Sequence, residues 1–130
     1  MVTIPPQPWP TGLAEAVEPL VLRVLAPNPS PYTFTGTQTY VVGEANGPDC
    51  AVIDPGPNEA EHIAAIIAAV AGRTITAIMC THTHRDHSPA AAPLAAITGA
   101  PIVGCAPLVL SSDLPRSDEA FDTSYAPDRV

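Results

Sequence analysis

Three of the four histidines of the chain, His82, His84 and His87, fall within six residues, with Asp86 among them. In an extended backbone His82 and His84 project to the same side, so both imidazoles can reach one metal ion. Asp86 and His87 are adjacent at a predicted turn and can serve a second ion. This ligand set suits zinc, with iron or manganese as alternatives. The clustering favours metal ligation by all four residues over a surface loop that is merely rich in histidine.

Four other residues could bind a metal or a substrate, but their positions in the sequence favour such a role less strongly. Arg85 could bind an anionic group of a substrate, but a structural ion pair within the loop is favoured. Cys80 lies in an apolar stretch, so a buried thiol is favoured over a ligand. Asp54 precedes Pro-Gly and is either a turn-former or an acid that supports the metal segment, and spacing alone does not separate the two. His62 lies beside acids on a predicted helix and is expected to be a solvated surface histidine.

The cluster follows directly on a predicted strand, within an alternation of strands and helices. Short runs rich in β-branched residues predict strands over residues 20–25, 37–42, 50–53, 74–80 and 101–105. The strand over residues 74–80 is predicted to be buried on both faces and leads straight into the histidines. The order of elements predicts an α/β layered domain.

Two helices are predicted on either side of this strand. In residues 58–71, an apolar stripe recurs with helical spacing, Asn58 is expected to cap the first turn, and Gly72 to end the helix. A second helix is predicted from Pro89 to about Thr98, with Ser88 as its cap. Pro93 should distort the first turn of that second helix, because it lacks the N–H that the turn requires.

Composition narrows the classes of protein further. The net charge is −8 and there is no lysine, so a nucleic-acid-binding surface is not supported. Three cysteines in apolar runs indicate free thiols in a reducing compartment. No secretory signal and no run of membrane-spanning length is visible, so a cytoplasmic location without membrane contact is expected. Residues 1–19 are predicted to be a proline-rich lead-in, and residues 20–130 the folded part of the chain.

The segment Thr-His-Thr-His-Arg-Asp-His-Ser, residues 81–88, resembles the HxHxDH motif of the metallo-β-lactamase superfamily. This form is similar to the branch with glyoxalase II-like hydrolases and lactamase-β-like endoribonucleases. Three other stretches agree with the resemblance. Residues 28–40 are similar to the opening hairpin of that branch, although Gln38 stands where Asn is more usual. Residues 53–56 resemble its Asp-x-Gly strand end, and residues 125–128 a segment that leads into its middle strands.

The resemblance implies a fold and a division of roles. The fold is an αββα sandwich, of which this chain would form the N-terminal half, one mixed sheet with helices on one face. His82 and His84 would bind one zinc ion, and Asp86 and His87 a second. Asp86 would also orient the attacking water, which makes it the candidate catalytic residue. Members of the family take three further ligands from their second half, including two histidines, and no histidine follows His87 here.

The leading hypothesis is therefore a zinc-dependent hydrolase of a small-molecule ester or thioester, present here as an incomplete and inactive fragment. An endoribonuclease or β-lactamase of the same fold is an alternative, which the acidic balance of the chain disfavours. A non-catalytic metal-binding or interaction module is a second class of function. An amidohydrolase barrel is disfavoured, because its HxH motif lacks the adjacent Asp-His pair. Half a sandwich leaves an apolar sheet face uncovered, and a two-fold homodimer is expected to cover it.

Overall fold

The structure is a computed structural model that describes residues 11–28, 36–81, 87–104 and 125–130. The elements in this part of the chain are β1 (Ala14–Glu18), β2 (Val21–Leu25), β3 (Gln38–Val42), β4 (Asp49–Ile53), α1 (Ala60–Val70), β5 (Thr74–Cys80), α2 (Ala91–Thr98) and β6 (Ile102–Gly104). Within these ranges no helix has both the length and the apolar character needed to cross a membrane.

The six described strands form one sheet in sequential order, β1 to β6. Neighbours from β1 to β4 are antiparallel, whereas β4, β5 and β6 run parallel. Parallel neighbours require crossover connections, which α1 and α2 supply. Both crossovers step in the same direction across the sheet, so their right-handed sense places both helices on one face. The predicted α/β fold, a mixed sheet with helices on one face, is confirmed.

The core lies between the sheet and the two helices. Strand register places a row of apolar side chains on the helix side, with Val41 opposite Val52, Val52 opposite Ile78, and Ile78 opposite Ile102. All four are buried, and the helices bury apolar side chains against them: Ile63, Ile66, Val70 and Leu94. Each such side chain contributes about 1.5–3 kcal/mol by leaving water. This packing fixes the ends of the parallel strands, where the predicted metal segment begins.

The other face of the sheet is also apolar but is only partly covered. Tyr40, Ile53, Met79 and Val103 form a row at paired positions across four strands. All are partly accessible, and Met79 is 39% exposed. The strands thus present a second apolar surface opposite the helices, as the sequence predicts for half of a sandwich.

One strand was not expected from the sequence. Residues 14–18, inside the predicted lead-in, form β1. The sequence Ala-Glu-Ala-Val-Glu has no apolar run, because β1 is an edge strand whose residues are mostly exposed. It pairs with β2 through backbone contacts and through an ion pair of 2.7 Å between Glu15 and Arg23. Residues 1–10 lie outside the described ranges, and the predicted boundary at residue 20 stays a prediction.

The helix starts also differ from the predictions. The N-cap of α1 is Glu59 rather than Asn58, without a side-chain cap. The N-cap of α2 is Ala90 rather than Ser88, so Pro93 lies in the first turn. An N–H in the first turn has no partner within the helix, so Pro93 removes no helical hydrogen bond at this position. Helix α2 ends at Thr98 as predicted, with Gly99 in the left-handed conformation after it, whereas the left-handed cap of α1 is Ala71, one residue before Gly72.

Arg73 joins the end of α1 to the β3–β4 hairpin. Its side chain is buried, and its guanidinium donates to the carbonyls of Ala69 and Val70 at 2.9 Å each. It also donates to the carbonyl of Glu44 at 3.0 Å. The planar fork of arginine matches several acceptors at once, which the single ammonium of lysine does not. Arg73 thereby satisfies helix-end carbonyls that have no partner within the helix.

We expect Arg73→Lys to lower the free energy of unfolding by about 2 kcal/mol, because buried carbonyls lose charged donors. Arg23→Lys is the matched control, since its partly exposed ion pair with Glu15 contributes less than about 1 kcal/mol. Urea unfolding followed by circular dichroism measures both. Equal losses in the two variants would show that the Arg73 contacts are not specific to arginine.

Candidate metal centre

The predicted ligands divide between described and undescribed residues. His82, His84 and Asp86, together with Arg85, lie outside the described ranges. His87 lies inside them, as does Thr81 at the other end of this segment. Within the described ranges no group of three or more His, Cys, Asp or Glu side chains could hold a metal ion. The described part of the site therefore consists of the residues that hold the two ends of segment 82–86.

Asp54 binds both ends of that segment. It follows β4, and its carboxylate accepts the Thr81 N–H at 2.7 Å and the Thr81 hydroxyl at 2.8 Å. The same carboxylate lies 3.2 Å from Nδ1 of His87. Its backbone is left-handed, with φ of 53°. Asp54 thus forms part of this turn and also contacts the residues that flank segment 82–86, so the two roles that its spacing left open are compatible.

The carboxyl of Asp54 is largely buried, yet it is kept in the charged form. Burial alone would raise its pKa, but the hydrogen bonds from His87 and from Thr81 together outweigh burial and hold the pKa below its ordinary value. Asp54 is therefore ionised at neutral pH and acts only as an acceptor. A charged acceptor makes stronger hydrogen bonds than a neutral one.

This carboxylate determines the tautomer of His87. Because Asp54 only accepts, Nδ1 of His87 must carry the proton that joins them. In that tautomer Nε2 carries the lone pair that a metal ligand needs. Metal-binding histidines generally donate their second ring nitrogen to a carboxylate or a carbonyl in this way. The one described residue of the predicted ligand set therefore has the hydrogen bonding that ligation requires.

Backbone hydrogen bonds connect the turn at residues 54–56 to β5 and to the start of α2. The N–H of Asp54 donates to the carbonyl of Met79 at 2.7 Å. Gly56 donates to the carbonyl of His87 at 2.8 Å and accepts from Ala90 at 2.9 Å. Gly56 has a φ of 81°, and a Cβ there would lie 3.1 Å from Nε2 of His62. Glycine is therefore required both by backbone conformation and by this close approach.

His62 is not the solvated surface residue that the sequence suggested. It is only 1% exposed, so that prediction is wrong. Its neighbour Glu61 pointed to an exposed position, but residues four apart share a helix face, and His62 lies on the buried face of α1 with Ile66. Nε2 of His62 lies 2.8 Å from the Thr39 hydroxyl, which in turn donates to the carbonyl of Asp54 at 2.7 Å.

The ring of His62 is uncharged at neutral pH. Burial lowers its pKa to about 4, and the backbone of Pro55 offsets only part of that effect. Cys80 is buried, as predicted for a core thiol, and among the described residues neither it nor Cys50 forms a disulfide. The third cysteine, Cys105, lies outside the described ranges.

Sequence reasoning missed Thr39, Gly56 and Thr81 as parts of this site. Thr81 precedes the first histidine of the cluster, and Gly56 belongs to the Asp-Pro-Gly turn, so each had a local signal. Thr39 had none, since a threonine in an alternating strand is ordinary. Its importance arises only when β3 lies beside β4 and α1 covers both.

Comparison with known proteins agrees with this fold. Residues 32–124 match the family model of the metallo-beta-lactamase superfamily. The chain is 41% identical over 76 residues to an atrochrysone carboxyl ACP thioesterase of Passalora fulva, a match that covers 57% of this chain and 22% of that protein. It is 38% identical over 76 residues to the beta-lactamase-like protein 2 homolog of Caenorhabditis elegans, covering 56% of this chain and 25% of that protein.

Solved structures show the same relationship. A metallo-beta-lactamase from Cronobacter sakazakii superposes with a TM-score of 0.54 and 26% identity, over 70% of this chain and 33% of that one. A beta-lactamase domain protein from Burkholderia ambifaria superposes with a TM-score of 0.55, over 72% of this chain and 32% of that one, and at 16% identity it shows the fold alone. These matches span a third or less of each similar protein. The chain belongs to the metallo-beta-lactamase superfamily and covers the N-terminal part of its fold.

Proposed function

We propose that this chain carries the first half of the active site of a zinc-dependent hydrolase. His82, His84, Asp86 and His87 would be its metal ligands. The observation that carries the proposal is the contact of Asp54 with both Thr81 and His87, at 2.7, 2.8 and 3.2 Å. A buried, charged carboxylate that anchors both ends of a histidine-rich segment restricts the conformations open to that segment.

The residues present fit a zinc ion. Imidazole and carboxylate are ordinary zinc ligands, and residues 82–87 contain three imidazoles and one carboxylate. The hydrogen bond from His87 to Asp54 sets the tautomer that leaves Nε2 for a metal. Bound zinc lowers the pKa of water toward neutrality and stabilises the oxyanion that develops during hydrolysis. Iron or manganese would suit the same ligands less specifically.

The protein side chains would supply orientation and proton control. Asp86, the proposed catalytic residue, would accept a hydrogen bond from the attacking water and so direct its lone pair toward the substrate carbonyl. Asp54 would act through His87, since its contact with His87 keeps that ring in one orientation. Holding a nucleophile in place removes part of the entropic barrier to reaction.

We propose a small-molecule ester or thioester as the substrate. The relative from Passalora fulva is named a thioesterase, which supports acyl transfer to water as the reaction class. The net charge of −8 disfavours a polyanion such as RNA, and a β-lactam remains the alternative that the structural neighbours suggest. A reducing compartment such as the cytoplasm fits Cys50 and Cys80, neither of which forms a disulfide among the described residues.

A non-catalytic metal-binding module is the second candidate. The family resemblance calls for two more ligating histidines, and residues 88–130 contain none. The two candidates differ in what the intact gene product does. A hydrolase requires those further ligands, whereas a binding module does not.

We also propose that the open apolar sheet face is an interaction surface. Tyr40, Ile53, Met79 and Val103 lie there at paired positions and are partly exposed. In the 130-residue chain by itself, a second copy related by a two-fold axis would cover this face. Monomers rarely expose large contiguous apolar patches, which supports the proposal.

The proposed ligands are tested by zinc binding to purified variants. We expect His82→Ala, His87→Ala and Asp54→Asn each to weaken zinc binding, the last by about 10–100-fold as is usual for a residue that orients a ligand. Asp49→Asn is the matched control, since Asp49 is an exposed carboxylate at the start of β4. Elemental analysis and competition with a chromogenic chelator give metal content and affinity. Unchanged affinity in the His87 variant would refute this ligand assignment.

The reaction class is tested on the intact gene product, loaded with zinc and supplied with thioesters, carboxylic esters, β-lactams and phosphodiesters. Hydrolysis of thioesters or esters, lost on chelation and restored by zinc, is the expected result. The 130-residue chain should not reach the about 1–1000 turnovers per second typical of enzymes. Zinc binding without hydrolysis by the intact product would favour the binding module. Efficient phosphodiester cleavage would contradict the proposed substrate.

The interaction surface is tested by the mass of the 130-residue chain in solution. Light scattering on a size-exclusion column should give a dimer at micromolar concentration, and Met79→Glu should convert it to a monomer by placing a charge in the interface. Ile67→Glu is the matched control, because Ile67 is similarly exposed, at 37% against 39%, but lies on α1. A stable wild-type monomer would refute the dimer.

A further inference from the structure

We propose that His62 and Thr39 are positioning residues of the metal centre. Their hydrogen bonds to the backbone of Asp54 hold the turn from which the Asp54 carboxylate orients His87. The proposal rests on the metal site proposed above for its functional meaning, whereas the hydrogen-bond chain is a property of the metal-free protein.

The direction of the hydrogen-bond chain follows from counting protons. The Thr39 hydroxyl lies 2.7 Å from the carbonyl oxygen of Asp54 and 2.8 Å from Nε2 of His62. A carbonyl only accepts, so the single hydroxyl proton must point to Asp54. Nε2 of His62 must then donate to the hydroxyl oxygen. The chain therefore runs from the His62 ring to the Thr39 hydroxyl and on to the Asp54 carbonyl.

This chain fixes the orientation of Asp54. With φ at 53°, Asp54 has a left-handed backbone that residues with a side chain rarely adopt. Its N–H is bound by the carbonyl of Met79, and its carbonyl by Thr39. Both backbone groups of Asp54 are thus held, so the direction of its side chain is set by its neighbours. That direction takes the carboxylate to Thr81 and to His87.

The burial of His62 is difficult to explain by packing alone. His62 is 1% exposed and Thr39 is not exposed at all. Among the described residues, Nδ1 of His62 is buried without a hydrogen-bond partner, which is destabilising. A leucine would fill a similar volume without this cost. A leucine would lack the Nε2 donor of His62, which lies next to Gly56.

The neutral state of the ring keeps the chain in one arrangement. Burial lowers the pKa of His62 to about 4, with the backbone of Pro55 offsetting part of the effect, so the ring stays uncharged near neutral pH. A neutral ring with its proton on Nε2 has one donor, and that donor is used by Thr39.

The test uses variants that separate hydrogen bonding from packing. Thr39→Val removes the hydroxyl at nearly constant shape, and His62→Leu removes the ring donor. His62→Gln is the conservative variant, because the amide nitrogen of glutamine can take the place of Nε2 and still donate. Ile66→Ala is the control for lost stability, since Ile66 is fully buried on the same helix but lies one turn further along.

The main measurement is the tautomer of His87 in the metal-free protein, from long-range ¹H–¹⁵N correlation spectra. We expect the Nδ1–H tautomer in wild type, in His62→Gln and in Ile66→Ala, and a mixture with Nε2–H in Thr39→Val and His62→Leu. Zinc affinity should fall up to about tenfold in the same two variants and stay near wild type in His62→Gln. Urea unfolding reports the stability of each variant separately.

Three results would overturn the proposal. The first is an unchanged His87 tautomer in Thr39→Val, or in His62→Leu where that variant folds. The second is a loss in His62→Gln as large as in His62→Leu, and the third is an equal shift in Ile66→Ala. Failure of wild type to bind zinc would instead refute the metal site, and the tautomer would still decide whether His62 and Thr39 position His87.

Discussion

The carboxylate of Asp54 accepts hydrogen bonds from Thr81 and is in contact with His87, the residues on either side of the predicted metal segment. Three features of the fold must coincide for this to happen. β4 and β5 must be parallel neighbours, so that both end at the same edge of the sheet. α2 must begin close to that edge, and the backbone of Asp54 must turn left-handed. The first two features place Thr81 and His87 at one edge of the sheet, and the third directs the Asp54 carboxylate toward them.

Parallel strands explain why the site lies where it does. The carboxyl ends of neighbouring parallel strands meet at one edge, which is where open α/β sheets place their ligands. The helix that connects β4 to β5 crosses the same face, and its buried side supplies His62 beneath the turn. Helix α1 thus has two roles, because Ile63 and Ile66 close the core while His62 supports the site.

The sequence predicts those parts of this arrangement that depend on local signals. β5 spans Thr74–Cys80 as expected from its apolar run, but its burial alternates along the strand, so the predicted burial on both faces is wrong. The start of α2 is not predictable in this way, since the contact of Ala90 with Gly56 overrides the capping preference of Ser88. The burial of His62 and the role of Thr39 depend on which strand lies under which helix turn. Such contacts arise from tertiary packing, which residue type and spacing do not report.

A crystal structure of the zinc-loaded protein, with anomalous scattering measured at the zinc edge, tests the central claim most directly. We expect an anomalous peak about 2.0–2.1 Å from Nε2 of His87. Nδ1 of the same ring should remain hydrogen-bonded to Asp54, which should not touch the ion. Zinc bound to Nδ1 of His87, or to Asp54 itself, would contradict the claim that Asp54 holds the ligand rather than the metal.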